Sequence, residues 1–172
     1  LSGLACWIPG LREARIPEWQ AGSSSECFEH RDCKMDFDLS EEQRLLKDSV
    51  DGLLADSYDF EQRKKYAAEK DGWSRQVWGK LAEQGLLGLP FSENDGGFGA
   101  GAVETAIVME SLGRSLVLEP YLTTVVIGGG FLRHGASAEQ KAAHIPSIID
   151  GSNTLAFAQL EKNSRYDLAD VS

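Results

Sequence analysis

Gly85-Leu86-Leu87-Gly88-Leu89-Pro90 is followed closely by Gly96-Gly97-Phe98-Gly99, and how these two runs are read decides the fold. Gly85 has no Cβ to oppose a left-handed conformation, so it stops a helix. Leu89-Pro90 and the glycine run then bracket a loop. The run lacks G-x-G-x-x-G spacing, and no Lys-Ser or Lys-Thr follows it, so a phosphate cradle has no support. The reading is a turn that needs positive φ, set between helices.

Working back from that loop, Ser74 caps a helix whose apolar side carries Val77, Trp78 and Leu81. The charged stretch from Phe60 to Lys70 reads as a short, mostly solvated helix. Ser40 with Gln43 is a capping box, which satisfies orphan N–H groups at a helix start. Leu45, Leu46, Val50, Leu53 and Leu54 are expected to line one face of that helix, which should end near Ser57.

Working forward, a helix is expected from Ala102 to Ser115, burying Val103, Ala106, Ile107 and Leu112. Pro120 suits the first turn of the next helix, which should stop at Gly135. Inside it, Val125-Val126-Ile127 precedes Gly128-Gly129-Gly130. That is either a strand feeding a glycine loop or a helix with a bare patch. Each interior glycine costs about 1 kcal/mol against Ala, so three together need a close neighbour or a flat ligand. Close packing is the better account. Ser137 with Gln140 repeats the capping box, Pro146 kinks or restarts the last helix, and Gly151 ends it. Thr154 to Gln159, short and mostly apolar, reads as a strand. The sum is five or six helices and one late strand.

The chain has 172 residues, 42% of them hydrophobic, enough for one domain with a core of useful size. Lys plus Arg total 17 and Asp plus Glu total 27, a net charge of −10. That excess of acid argues against a nucleic-acid partner and against an anionic membrane. The longest uncharged stretch, Pro120 to Leu132, falls well short of the ~20 apolar residues that span a bilayer.

Residues 1–34 read differently from the rest. They hold all three cysteines, Cys6, Cys27 and Cys33, and they precede the first methionine, Met35. No helical or strand period is sustained there, and neither a secretory signal nor a transit peptide is recognisable. The expectation is an extraneous or disordered leader over 1–34, with the natural chain starting at Met35. A helical domain should occupy 35–151, and 152–172 should open a further β domain.

Residues 35–172 hold no cysteine, hence no disulfide, thiolate nucleophile or Cys-ligated metal, which fits a reducing, cytoplasmic setting. His134 and His144 lack ligand spacing, so no metal site is expected. No serine sits in G-x-S-x-G. Glu161 reads as a solvated loop acid, and no second carboxylate is placed to pair with it. The residues by themselves reach an acidic helical domain joined to a strand, and no reaction.

Several segments, in chain order, resemble the N-terminal half of the acyl-CoA dehydrogenase family. They are Leu39-Ser40-Glu41-Glu42-Gln43, the two glycine-bearing runs quoted first, and Met109-Glu110-Ser111-Leu112-Gly113. Gly135 to Gln140 with Ile145-Pro146 and Gly151 follows, and then Leu155-Ala156-Phe157-Ala158-Gln159-Leu160-Glu161. The resemblance covers about 36–172 and none of 1–34. Within the family the likeness is greatest to the small subunit of pimeloyl-CoA dehydrogenase, through Arg165-Tyr166-Asp167-Leu168.

The resemblance implies a helical N-terminal domain plus the first strand of a middle β domain. The reaction it implies is FAD-dependent α,β-dehydrogenation of an acyl-CoA. The glutamate base would lie in a C-terminal domain beyond Ser172, so no residue here is assigned as catalytic. Phe157 matches the aromatic of the family's flavin-contact motif, Glu161 its acid and Asp167 the end of its turn. Gln159 stands at the apolar position and Leu160 at that of Thr; Lys162 replaces Pro, and Arg165-Tyr166 replaces Gly-Ser. Leucine lacks the hydroxyl that Thr offers a flavin, though backbone groups of the strand could still bind it. The resemblance thus implies cofactor contacts at Phe157, Gln159 and Leu160 and substrate contacts at Arg114 and Tyr166. Arg133 is the alternative cation for a dicarboxylyl substrate such as pimeloyl-CoA. The implied partners are acyl-CoA, the missing C-terminal part of the same chain, and an oligomer, either homo-oligomeric or formed with a large subunit. The departures at Leu160 and Tyr166 also fit a catalytically silent assembly subunit, and a helical interaction module is the third reading.

Overall fold

Ser40 starts the first helix of the described residues because its side chain replaces a missing backbone partner. Its Oγ accepts the Gln43 N–H at 3.1 Å, and Gln43 Oε1 accepts the Ser40 N–H at 3.0 Å. The structure is a computed structural model that describes residues 38–158, all within one unit. The expectations for residues 1–34 and 159–172 lie outside the described residues.

Helix α1 (Glu41–Ser57) buries Val50, Leu53, Leu54 and Ser57. Leu45, expected on that face, is 64% exposed. It sits one residue, or about 100° of helical rotation, off the stripe that Leu46 and Val50 continue. Helix α2 (Phe60–Ala67) is capped by Asp59, buries nothing, and ends before Lys70. Helix α3 (Arg75–Glu83) buries Val77, Trp78 and Leu81 behind the Ser74 cap. Gly85 ends it at φ 74°.

The loop that follows contains two short 3-10 turns, Leu86–Gly88 and Glu93–Asp95. Gly96 and Gly99 take φ of 88° and 65°, as a turn demands. Gly97 is needed for a different reason: a Cβ there would collide with the carbonyl oxygens of Phe91 and Gly88.

Helix α4 (Ala102–Arg114) runs against α1 and buries Ile107, Val108, Ser111 and Leu112. The Gln43 side chain donates to Glu104 Oε1 at 2.7 Å, tying the starts of the two helices together. Val103 and Ala106, expected in the core, are exposed, Val103 by 51%. They are apolar as the pattern requires, but nothing among the described residues covers them.

Leu122–Gly128 is π-helical and passes without a break into α5 (Gly129–Gly135). The strand-and-glycine-loop alternative is thereby excluded. A Cβ on Gly128 would lie 2.7 Å from Leu155 Cδ1, and one on Gly129 would lie 2.8 Å from Phe91 Cζ. Close packing accounts for both, whereas Gly130 faces open space. Helix α6 (Ala138–Ile149), opened by the Ser137–Gln140 box, runs through Pro146 and buries Ile145 and Ile148.

Gly151, at φ 77°, closes the domain. Its carbonyl accepts the Trp78 Nε1–H at 2.9 Å, joining the end of α6 to α3. The core under these elements includes Val50, Leu54, Trp78, Leu81, Leu87, Phe91, Val108, Tyr121, Val125, Ile145 and Ile148.

Residues 154–158 take no regular structure, which corrects the expected strand over Thr154–Gln159 as far as Ala158. A strand needs a neighbouring backbone to exchange hydrogen bonds with. Here, among the described residues, the Leu155 backbone hydrogen-bonds only the hydroxyl of Thr124. The described fold is therefore six α-helices with short 3-10 turns and a π segment.

Candidate functional site

One cleft, of about 370 Å³, opens between the glycine loop, α4 and the π segment. Pro90, Ala100, Gly101 and Ala102 form one side, Thr105, Ala106 and Met109 come from α4, and Val125 and Val126 close the other side. Small side chains keep the trough open, and apolar ones make it water-poor. Among the described residues, Arg133 is the one charged side chain on its wall. Its Nη1 donates to Pro90 O at 2.7 Å, which bridges α5 to the loop, and Lys141 Nζ donates to Arg133 O at 2.9 Å. Such a trough suits an apolar chain, and the guanidinium suits an anionic end. Arg114, the substrate-contacting cation that the resemblance implies, is exposed at the end of α4 and does not line the cleft.

A second recess lies on the outer side of α5. Ile127, Gly130, Phe131, His134 and Gly135 line it, and it is almost wholly apolar. Phe157 stacks beside it on Phe131, with ring centroids 5.0 Å apart and planes 32° from parallel. Both rings remain open to solvent, Phe131 by 59% and Phe157 by 41%. Phe157 is thus brought to a helix face with aromatic company. Gln159, Leu160, Glu161, Tyr166 and Asp167 lie outside the described residues.

Sequence reasoning misses Phe131 and Thr124. Phe131 follows the glycine run and reads there as ordinary helix filler. Thr124 carries no local signal, because its partner is far along the chain at Leu155. Glu119 is missed too. Leu116, Val117 and Leu118 before it make an apolar run in which an acid is out of place. Its carboxylate accepts the Ser74 N–H at 3.2 Å. Burial pushes its pKa above the usual carboxylate value, against the opposing pull of neighbouring polar groups such as the Ser74 N–H. It joins α3 to the chain before the π segment, away from both recesses.

Among the described residues no three His, Cys, Asp or Glu side chains group as metal ligands, and no helix is long and apolar enough to cross a membrane.

Comparison with known proteins accounts for this architecture. Residues 40–152 match the model of the acyl-CoA dehydrogenase N-terminal domain. Acyl-CoA dehydrogenase FadE12 of Mycobacterium tuberculosis is 32% identical over 131 residues, covering 74% of this chain and 33% of the relative. Acyl-CoA dehydrogenase FadE27 of the same organism is 30% identical over 124 residues, covering 72% and 33%. The crystal structure of the ChsE4-ChsE5 complex from Mycobacterium tuberculosis superposes with a TM-score of 0.66 at 30% identity, over 71% of this chain and 34% of that one. This chain spans about a third of the length of the curated relatives it matches. The matched residues carry all six helices and the glycine loop, and the chain belongs to the acyl-CoA dehydrogenase family through the N-terminal domain of that family.

Proposed function

We propose that this chain supplies one wall of a flavin-dependent acyl-CoA dehydrogenase, inactive alone, with the catalytic base on polypeptide beyond it. The observation that carries this is the uncovered flank. The domain matching the family over 40–152 leaves Val103, Ala106, Leu122 and Phe131 open to solvent, and Phe157 just beyond it is open too. That much apolar surface on one domain marks a face meant to be covered.

Residues 35–151 would be the helical domain and 152–172 the entry to the β domain, in a cytoplasmic protein. The exposed Phe131–Phe157 pair beside a glycine-floored recess fits the flat ring system of FAD. When bound, FAD would accept the substrate's β hydride. Phe157 would press on the ring edge, and backbone groups at Gln159 and Leu160 would contact it. The apolar wall would exclude water from the reacting carbons.

The substrate class is an acyl-CoA thioester. Its finer identity, a dicarboxylyl chain such as pimeloyl-CoA, rests on a cation at the far end of the acyl site. The cleft favours Arg133 for that role over Arg114, and Tyr166 is a further candidate contact. The solved relative in two different chains supports an oligomer, and hence also the reading in which this chain is the silent member of a pair with a larger subunit.

The test is enoyl-CoA formation by the protein assembled with its C-terminal part or partner and supplied with FAD. Turnover that requires FAD supports the proposal, and an assembled protein that takes up no flavin contradicts it. Arg133→Ala should raise KM for a dicarboxylyl-CoA about tenfold or more while sparing a neutral acyl-CoA of equal length. Arg114→Ala should change neither. Equal effects of Arg133→Ala on both substrates would remove the dicarboxylyl assignment.

A further inference from the structure

The segment after Gly151 is not in a sheet, yet it lies in a fixed register on the helix, and one side chain sets that register. Thr124 is fully buried in the π segment. Its Oγ1 accepts the Leu155 N–H at 3.0 Å and donates to the Leu155 carbonyl at 3.3 Å. A hydroxyl is both donor and acceptor, so it makes the two bonds that a neighbouring strand residue would make. One turn on, Gly128 takes the Leu155 side chain, whose Cβ would be 2.9 Å from any Cβ placed there. Further along, Phe131 takes the Phe157 ring. Thr124, Gly128 and Phe131 share one side of the helix. Leu155 and Phe157, two apart, share one side of an extended chain.

We infer that this stripe is a register clamp. Thr124 and Gly128 hold Leu155 so that Phe157 reaches Phe131 at one place only, and Thr124 is a positioning residue for the flavin-contact segment. The clamp itself follows from the contacts; its consequence for the cofactor rests on the function proposed above. A slip by one residue would turn Phe157 to the opposite side, because an extended chain alternates its faces. Without the Thr124 hydroxyl, the part-buried N–H and carbonyl of Leu155 would lose their partner among the described residues.

The test uses amide hydrogen exchange on this chain and FAD titration of the protein assembled with its C-terminal part or partner. Thr124→Val keeps the shape and removes the hydroxyl; Thr124→Ser restores it. Thr124→Val should speed exchange at Leu155 on the order of tenfold, while α1 amides keep their wild-type rates and Thr124→Ser stays near wild type. Gly128→Ala should speed exchange at the same amide by displacing Leu155. An unchanged Leu155 rate in Thr124→Val overturns the clamp. In the assembled protein, FAD affinity should fall several-fold in Thr124→Val and return in Thr124→Ser. Unchanged affinity with Leu155 released overturns the positioning role. If the assembled wild type takes up no FAD, the function proposed above fails and the positioning role fails with it, while the exchange rates still decide the clamp.

Discussion

The side of the domain built on Trp78, Leu81 and Ile145 and the side that ends in Val103, Leu122 and Phe131 are made of the same kinds of residue. The first is sealed: those three side chains are buried, and Trp78 also donates to Gly151 O. The second is open, with Phe131 more than half exposed. Apolar character therefore shows which faces avoid water. It does not show whether the cover lies within the same stretch of chain.

The largest expected contrast is in stability. Trp78→Ala should cost about 3–5 kcal/mol, because it empties a core site and removes a buried hydrogen bond. Val103→Ser should stay within about 0.5 kcal/mol. Urea denaturation of the chain measures both, and comparable losses would erase the distinction between the two sides.

The glycine run sharpens the contrast within a single helix. Gly129→Ala should cost about 1–3 kcal/mol, because its Cβ would press on the Phe91 ring in the core. Gly130→Ala, one residue on and facing open space, should gain up to about 1 kcal/mol from helix propensity. The same denaturation curves decide it, and equal signs would count against the packing described.

Glu119 tests the buried interior by pH. Burial raises its folded pKa above 4.5, so the folded state holds its proton where the unfolded state has lost it. Its contribution is therefore favourable at low pH and declines as pH rises from about 4.5 through the folded pKa. Glu119→Gln should raise Tm at pH 8, with the gain fading toward about pH 4. A gain independent of pH would mean that the carboxylate is not held as described.

Much of the helical frame is legible in the sequence because its signals are local. The Ser40 and Ser137 boxes, the Ser74 cap and the stops at Gly85 and Gly151 each depend on residues a turn away. The errors share a cause. Period alone assigns Val103 and Ala106 to the core, though burial depends on a neighbour, and apolar character alone assigns Leu45 there, though it lies off the stripe. Composition alone assigns a strand to Thr154–Gln159, though strands depend on a partner backbone. Of the candidate site, the resemblance points to Phe157 and to Arg114, with Arg133 as the alternative cation. Only folding brings Arg133 to Pro90 and Thr124 to Leu155.

The central claim is that the open flank is one wall of a larger site. Oxidative footprinting of Val103, Leu122, Phe131 and Phe157 tests it most directly, comparing the chain alone with the FAD-loaded assembled protein. The account predicts several-fold slower labelling of these four residues after assembly, with exposed Phe60 unchanged. Equal labelling in the two states would contradict it.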